Sequence, residues 1–301
     1  MTSWLVTGAE GMLGSDVARI ARDSGADVTG FGRGELDITD AVSVLAAIRA
    51  ARPDIVVNCA AWTAVDDAES REAAAMAVNG IGAANVAAAC ASVGATMVQI
   101  STDYVFSGTA TQPYPEDFQP GPRTAYGRTK LAGEQAVLSQ LPEAGYVLRT
   151  AWLYGVHGRN FVATMIRLEG HRDQVPVVAD QHGQPTWTAD VARQIVLLAN
   201  SGAEPGIYHA TSCGATSWLG LAREVFTLLG ADPGRVTPIT TSELALPAPR
   251  PAYSVLGHDR WLSAGLSPLP EWTESLHRSF PDLAAVAGRA PVSPRPSVSP
   301  A

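Results

Sequence analysis

The chain has 301 residues, 46% of them hydrophobic and 17% charged, enough to bury the core of one large domain or two modest ones and too apolar for disorder throughout. Lys plus Arg number 21 against 29 Asp plus Glu, a formal net charge of -8, and no basic run is present to track a phosphate backbone, which disfavours nucleic acid as a partner. No apolar run approaches the roughly 20 residues of a membrane span and no basic segment precedes an apolar one at the amino terminus, so a soluble, cytoplasmic protein is expected.

Short apolar runs at 4–7, 26–31, 54–59, 96–101 and 146–150 alternate with alanine-rich stretches of helical length. Their spacing, roughly 25 to 45 residues, is that of successive strand–helix units. Strands buried on both faces read as continuous apolar runs, and right-handed crossovers between them give a doubly wound, parallel α/β sheet of the Rossmann type. Between the first strand and the first helix sits Gly8-Ala9-Glu10-Gly11-Met12-Leu13-Gly14. A helix amino terminus offers unpaired N–H groups and a positive dipole end, and glycines let a pyrophosphate approach the backbone. Gly8, Gly11, Met12, Leu13 and Gly14 are therefore expected to bind a dinucleotide.

The second run ends at Phe31-Gly32-Arg33, where an NAD-preferring protein would place an acid against the ribose 2′-hydroxyl. The acid is missing, and Arg33 suits a 2′-phosphate, so NADPH is the expected cofactor, with NADH as the alternative. Asp37 and Ile38 lie just beyond and are expected to flank the adenine; Ala60 and Ala61, after the third run, join the cofactor set. Thr39-Asp40 opens a helix over 41–51 that Pro53 closes. The fourth run ends in Ser101-Thr102-Asp103-Tyr104, and Tyr126 and Lys130, four apart, share a face of the helix that starts near residue 125. A phenol with an ordinary pKa near 10 needs a neighbouring cation to serve as acid or base at neutral pH, and Lys130 would supply it.

Beyond residue 155 the pattern loosens, with candidate strands at 175–178 and 206–210 and helices at 189–199 and 217–229. The chain thus divides into a dinucleotide-binding domain over 1–155 and a smaller carboxy-terminal α/β substrate lobe over 156–283, some segments of which return to the first domain. Residues 284–301 are rich in Pro, Ser and Ala and carry no large apolar residue beyond valine, so a disordered tail is expected there. The three cysteines, at 59, 90 and 213, and the six scattered histidines have no metal-site spacing, and no catalytic metal is expected.

Taken together, GAEGMLG, GELDITD, NCAAWTAVDDAE, STDYVFSG, YGRTKLAGE, RTAWLYG, GRNFVATMIRL, DQHGQPTW and RPAYSVL resemble the extended short-chain dehydrogenase/reductase family, whose members work on nucleotide-sugars. Within it the wording is most similar to the dTDP-4-dehydrorhamnose reductases. The resemblance implies NADPH-dependent reduction of the C4 ketone of dTDP-4-dehydro-L-rhamnose to dTDP-L-rhamnose, with Tyr126 giving the proton, Thr102 a second hydroxyl on the carbonyl oxygen, and Lys130 serving both the phenol and the nicotinamide ribose. It further implies that Val65, Tyr104 and Trp152 line the sugar pocket, and that Asn160 and Arg250 approach the nucleotide diphosphate. Related dehydratases carry Glu after the Asp that matches Asp103; here Tyr104 follows, so elimination of water lacks its base.

Some members of that branch dimerise through magnesium held by glutamates. One such position reads Ala189 here, and although Asp16 could stand for another, a hard cation is poorly held by a cage missing a carboxylate. A homodimer is thus open but unsupported by these positions. Two other readings share the fold: a sibling epimerase or ketoreductase, and a non-catalytic NAD(P)-binding regulatory subunit. The joint presence of Thr102, Tyr126 and Lys130 favours an enzyme, because a regulatory subunit has no chemical need of them.

Overall fold

The computed structural model describes residues 1–288. Six strands, β1 (Ser3–Thr7), β2 (Asp27–Phe31), β3 (Ile55–Asn58), β4 (Thr96–Thr102), β5 (Gly145–Thr150) and β10 (Gly206–His209), form one sheet in the order β10-β5-β4-β3-β1-β2. All five pairings are parallel. The chain winds outward from β1 to β2, then reverses through β3, β4 and β5, so the carboxyl ends of β1 and β3 flank the point where a doubly wound sheet binds its ligand.

Helices cover both faces. On one lie α1 (Met12–Asp23) and α8 (Thr188–Ser201), enclosing Val6, Val17, Val57, Leu148 and Ile195; on the other lie α2 (Ala41–Ala51), α5 (Ala83–Val93) and α6 (Ala125–Gln140), over Leu5, Val56, Met97 and Val147. Gly206–His209 reads as a strand of the region after 155, and in the fold it is the edge of this sheet, hydrogen-bonded to β5; α8 likewise packs on α1.

After β3 come a short α3 (Val65–Ser70) and then α4 (Glu72–Met76), a π-helical turn over Ala77–Gly82 and α5, which run on as one helix of 22 residues. By length and composition this helix, Glu72–Val93, would pass as a membrane span, contrary to the expectation from the sequence. Its alanines raise the hydropathy, but half of the apolar window is buried in the protein, with Val86, Ala87, Ala89 and Cys90 against the sheet.

The later segments build a third core. It joins α7 (Phe161–Glu169), β7 (Val175–Val178), α9 (Trp218–Leu228), β12 (Val236–Ile239) and, past the short α10 (Thr241–Leu244) and α11 (Asp259–Ser263), α12 (Trp272–Val286) through Val162, Ile166, Val225, Phe226 and Phe280. Three pairs of short strands stiffen it: β12 with β7, β6 (Leu153–Tyr154) with β9 (Thr186–Trp187), and β11 (Thr216–Ser217) with β8 (His182–Gly183). The tail expected at 284–301 begins inside α12, where Ala284 is fully buried beside Leu283. Alanine suffices at that position because the helix is already carried by Leu276, Phe280 and Leu283. Residues 289–301 lie outside the described residues.

Candidate active site

The glycine loop turns at Gly8, whose φ of +65° suits glycine; a Cβ there would also lie 2.7 Å from the backbone nitrogen of Ala60. β1 and β3 can approach this closely only because both loops are small. Gly11 is the N-cap of α1 and brings no side chain to cap it, so the first-turn N–H groups of Met12, Leu13 and Gly14 have no side-chain partner at that end. That is the arrangement an anion needs, and the residues fit a dinucleotide pyrophosphate. Ala61 follows Ala60 on the loop that crosses beside the glycines.

Arg33 is exposed at the end of β2, its guanidinium close enough to Asp37 to help hold that carboxyl below its usual range. The main cause of Asp37's low pKa is its own turn, since it accepts hydrogen bonds from the N–H and hydroxyl of Thr39. Ile38 differs from expectation: its side chain is buried in the core under α2 and α5, with its Cδ1 against Gly82. An isoleucine beside an apolar helix is drawn inward, so only its backbone is left to the rim of the cofactor groove.

At the carboxyl end of β4, the Thr102 hydroxyl donates to Asp103 (2.9 Å) and accepts from the Tyr104 N–H (3.2 Å), with the Tyr126 hydroxyl beside it. Tyr126 is on the first turn of α6, which Thr124 caps by accepting from Gly127 N–H, and its ring meets Tyr104 edge to face at 5.7 Å. Burial pushes the Tyr126 phenol up to about 12, partly offset by the hydrogen bond to Thr102 and reinforced by the Asp103 carboxylate. Lys130, one turn on, is buried and donates to the Ile100 carbonyl at 2.6 Å. Burial brings its pKa down to about 8, against the opposing pull of Glu134.

Both groups share a dry pocket that disfavours each charged form, and the ammonium is tied to the backbone of β4. At neutral pH Tyr126 holds its proton, which suits a donor. Asp103 is buried next to them, one carboxylate oxygen has no partner, and burial raises it to about 6. Behind this group, Glu134 of α6 accepts from Ser101 (2.5 Å) and makes a two-pronged ion pair with Arg149 of β5 (2.9 and 2.7 Å), wholly out of water.

The other candidates are arranged around the same end of the sheet. Tyr104 and Arg250 line one cleft with Phe106, Arg123 and Pro249. Arg250 is committed in this structure to Asp66 (2.6 Å) and to the carbonyl of Ala248, which straps the 248–252 segment onto α3, where Val65 is the first residue. Trp152 lies between β5 and β6 with a φ of +47°, a strained conformation for a bulky residue. Asn160 caps α7, accepting from Ala163 N–H and donating to the Gly155 carbonyl. The carbonyl oxygen and one N–H of that amide are engaged locally, because an Asn before a helix is taken by the cap, so it shapes the 155–160 loop and keeps its second N–H for another acceptor.

Asp16, weighed as a metal ligand, is buried between α1 and α8, where Thr188 donates to it (2.7 Å) and Arg19 pairs with it. Asn79, absent from the expected set, sits in the π-helical turn and clamps the loop after β3: its amide accepts from Trp62 N–H and donates to the Trp62 carbonyl and to the Thr129 hydroxyl beside Lys130. The signal for it was a buried-looking polar side chain inside an apolar, alanine-rich helix, which it shares with Asn85.

The RmlD substrate binding domain family matches residues 2–285. The chain belongs to that family. Among its relatives, a dTDP-4-dehydrorhamnose reductase of Streptomyces griseus is 58% identical over 97% of each chain, and a dTDP-4-keto-6-deoxy-D-glucose reductase of Streptomyces niveus is 53% identical over 94% of this chain and 98% of its own. A solved dTDP-4-dehydrorhamnose reductase of Bacillus anthracis, in complex with NADP, superposes with a TM-score of 0.90 at 40% identity, covering 93% of this chain and 99% of its own. The RmlD family thus accounts for the six-stranded sheet and the later lobe alike.

Proposed function

We propose that this RmlD-family chain reduces the C4 ketone of dTDP-4-dehydro-L-rhamnose with NADPH, Tyr126 being the proton donor. The observation that carries the reading is the placing of Tyr126 and Lys130 on the first turns of α6 against the end of β4 that carries Thr102, with an uncapped glycine loop opening α1; the names of the relatives support the substrate. NADPH when bound supplies the hydride, its pyrophosphate held by Gly8, Gly11, Met12, Leu13 and Gly14 and its 2′-phosphate by Arg33. As the ketone oxygen gains charge, Tyr126 passes its proton to it, and Thr102 turns its hydroxyl to the same oxygen. Lys130, charged below about 8, stabilises the phenolate left behind and holds the nicotinamide ribose. Val65, Tyr104 and Trp152 form the apolar wall a deoxysugar suits, and Arg250 meets the diphosphate once released from Asp66. The 1–155 part then holds the cofactor and supplies this sugar wall, and the 156–283 lobe adds Arg250 on the nucleotide side. Both reactants are cytoplasmic metabolites, so the activity belongs in the cytoplasm.

The test is to follow NADPH oxidation by the pure protein with dTDP-4-dehydro-L-rhamnose, in parallel with the D-gluco 4-ketosugar nucleotide that its Streptomyces niveus relative is named for. Turnover of the second alone would reassign the sugar. Tyr126→Phe is expected to lose roughly 100-fold or more in kcat while binding NADPH normally, the scale of a general acid; near-normal kcat removes Tyr126 from the donor's role.

A further inference from the structure

Trp152 is strained, and its neighbours explain how the strain is held. The Trp152 and Trp218 rings stack face to face, centroids 3.6 Å apart and planes within 7°. Trp218 is itself fixed from two sides: Phe161 packs on it at 4.6 Å, and its Nε1 donates to Gln181 at 3.0 Å. Gln181 is buried and donates in turn to the Thr241 hydroxyl. Antiparallel pairing of β11 with β8 sets Thr216 opposite Gly183 and Ser217 opposite His182, which carries Trp218 on toward Gln181. The edge of the Trp152 ring lies over Gly183 so closely that a Cβ there would come within 2.7 Å of Cζ2. One face and one edge of Trp152 are therefore occupied by protein, and the half-buried ring keeps some of its surface exposed.

We propose that Trp218 is a positioning residue for the sugar pocket: as a back plate it holds the left-handed Trp152 in the single orientation that presents its exposed surface to the deoxysugar. This rests on the reading that Trp152 lines that pocket. An aromatic ring can rest against a 6-deoxysugar only if its plane is fixed in advance, since ordering a free indole at the moment of binding costs affinity. Neither tryptophan touches the Thr102–Tyr126 pair in any of the contacts above, so the device acts on binding of the sugar and leaves the chemical step alone.

The experiment compares Trp218→Leu, Trp218→Phe and Trp152→Leu in the full-length protein, measuring kcat, KM for dTDP-4-dehydro-L-rhamnose, Kd for NADPH, and the exciton couplet of the stacked indoles by circular dichroism. Trp218→Leu is expected to abolish the couplet and raise KM roughly 3- to 10-fold, the scale of an aromatic pair, with kcat within about twofold and Kd for NADPH unchanged. Trp218→Phe, which keeps a stacking ring, is expected to recover most of the KM although the couplet is gone. A raised KM in Trp152→Leu with an unchanged one in Trp218→Leu overturns the positioning role while the pocket assignment stands. An unchanged KM in Trp152→Leu overturns the pocket assignment itself. Parallel losses of kcat and NADPH affinity in Trp218→Leu, not relieved by Trp218→Phe, would reduce Trp218 to a support of the lobe and also overturn the proposal.

Discussion

Asp103 illustrates how a single buried group records a compromise. Its carboxyl accepts from Thr102, but one oxygen has no partner and burial lifts its pKa from 3.8 to about 6. Because the folded value lies above the unfolded one, the folded chain binds more protons between these limits; this contribution to stability is full below about 4 and is lost as the pH rises through about 6. Asp103→Asn keeps an acceptor for Thr102 and removes the buried charge. The variant is expected to melt higher than the parent at pH 7.5, by the equivalent of about 1 to 3 kcal/mol, and the gap should close on going to pH 4. A gap independent of pH would show that the carboxyl does not titrate in that window. Arg33 gives a second test at this scale. A charge-assisted contact to the 2′-phosphate contributes roughly 1.5 to 3 kcal/mol, and the exposure of Arg33 pushes the effect to the low end through screening. Wild type is expected to favour NADPH over NADH by about 10-fold in kcat/KM, and Arg33→Ala to lose that preference by slowing NADPH turnover alone; equal losses with both cofactors would return Arg33 to the surface. Tyr126, Lys130 and Thr102 were legible as residue types in a pattern. Their pKa values were not, because burial comes from segments far along the chain.

Helix α6 carries the donor, and the ion pair between Glu134 and Arg149 is what fastens it to the sheet. Both side chains are 1% exposed, Ser101 donates to the same carboxylate, and the Arg149 guanidinium lies 4.9 Å from the centre of the Phe106 ring. A buried pair adds little net stability over an apolar replacement, but removing one partner strands a charge out of water, at about 3 to 5 kcal/mol. Arg149→Met is therefore expected to cost about that much in urea unfolding, and Arg149→Met with Glu134→Met to recover most of it. If the double variant is as unstable as the single, the stranded charge is not the cause. The helix itself was readable from its pattern, whereas the pair that anchors it was not: Glu134 and Arg149 look like ordinary surface charges until β5 is placed beside β4. The same holds for the 206–209 strand, legible as a strand but not as the edge of the first sheet, since a short apolar run does not name its neighbour.

Across the whole molecule the sheet and the later lobe are stitched by segments that return: α8 onto α1, β10 onto β5, and Arg250 onto Asp66 of α3. The carboxyl-terminal helix belongs to this stitching. A chain ending at Leu283 loses buried Ala284 and the last turn of α12, and is expected to melt lower than one ending at Gly288; equal melting temperatures would mean that the last turn contributes nothing. By itself the sequence determined the alternation of strand and helix, the glycine loop with its helix, the Tyr126–Lys130 spacing and the family wording, because each is set by neighbours a few residues apart through backbone periodicity and local hydrogen bonding. The tertiary structure alone decided that Asn160 caps its own helix, that Ile38 turns into the core, that Asp16 is taken by Thr188, and that Trp152 rests on Trp218. Each of those outcomes depends on which distant segment wins the space and the hydrogen bond, and long-range packing of that kind leaves no period in the chain to be read.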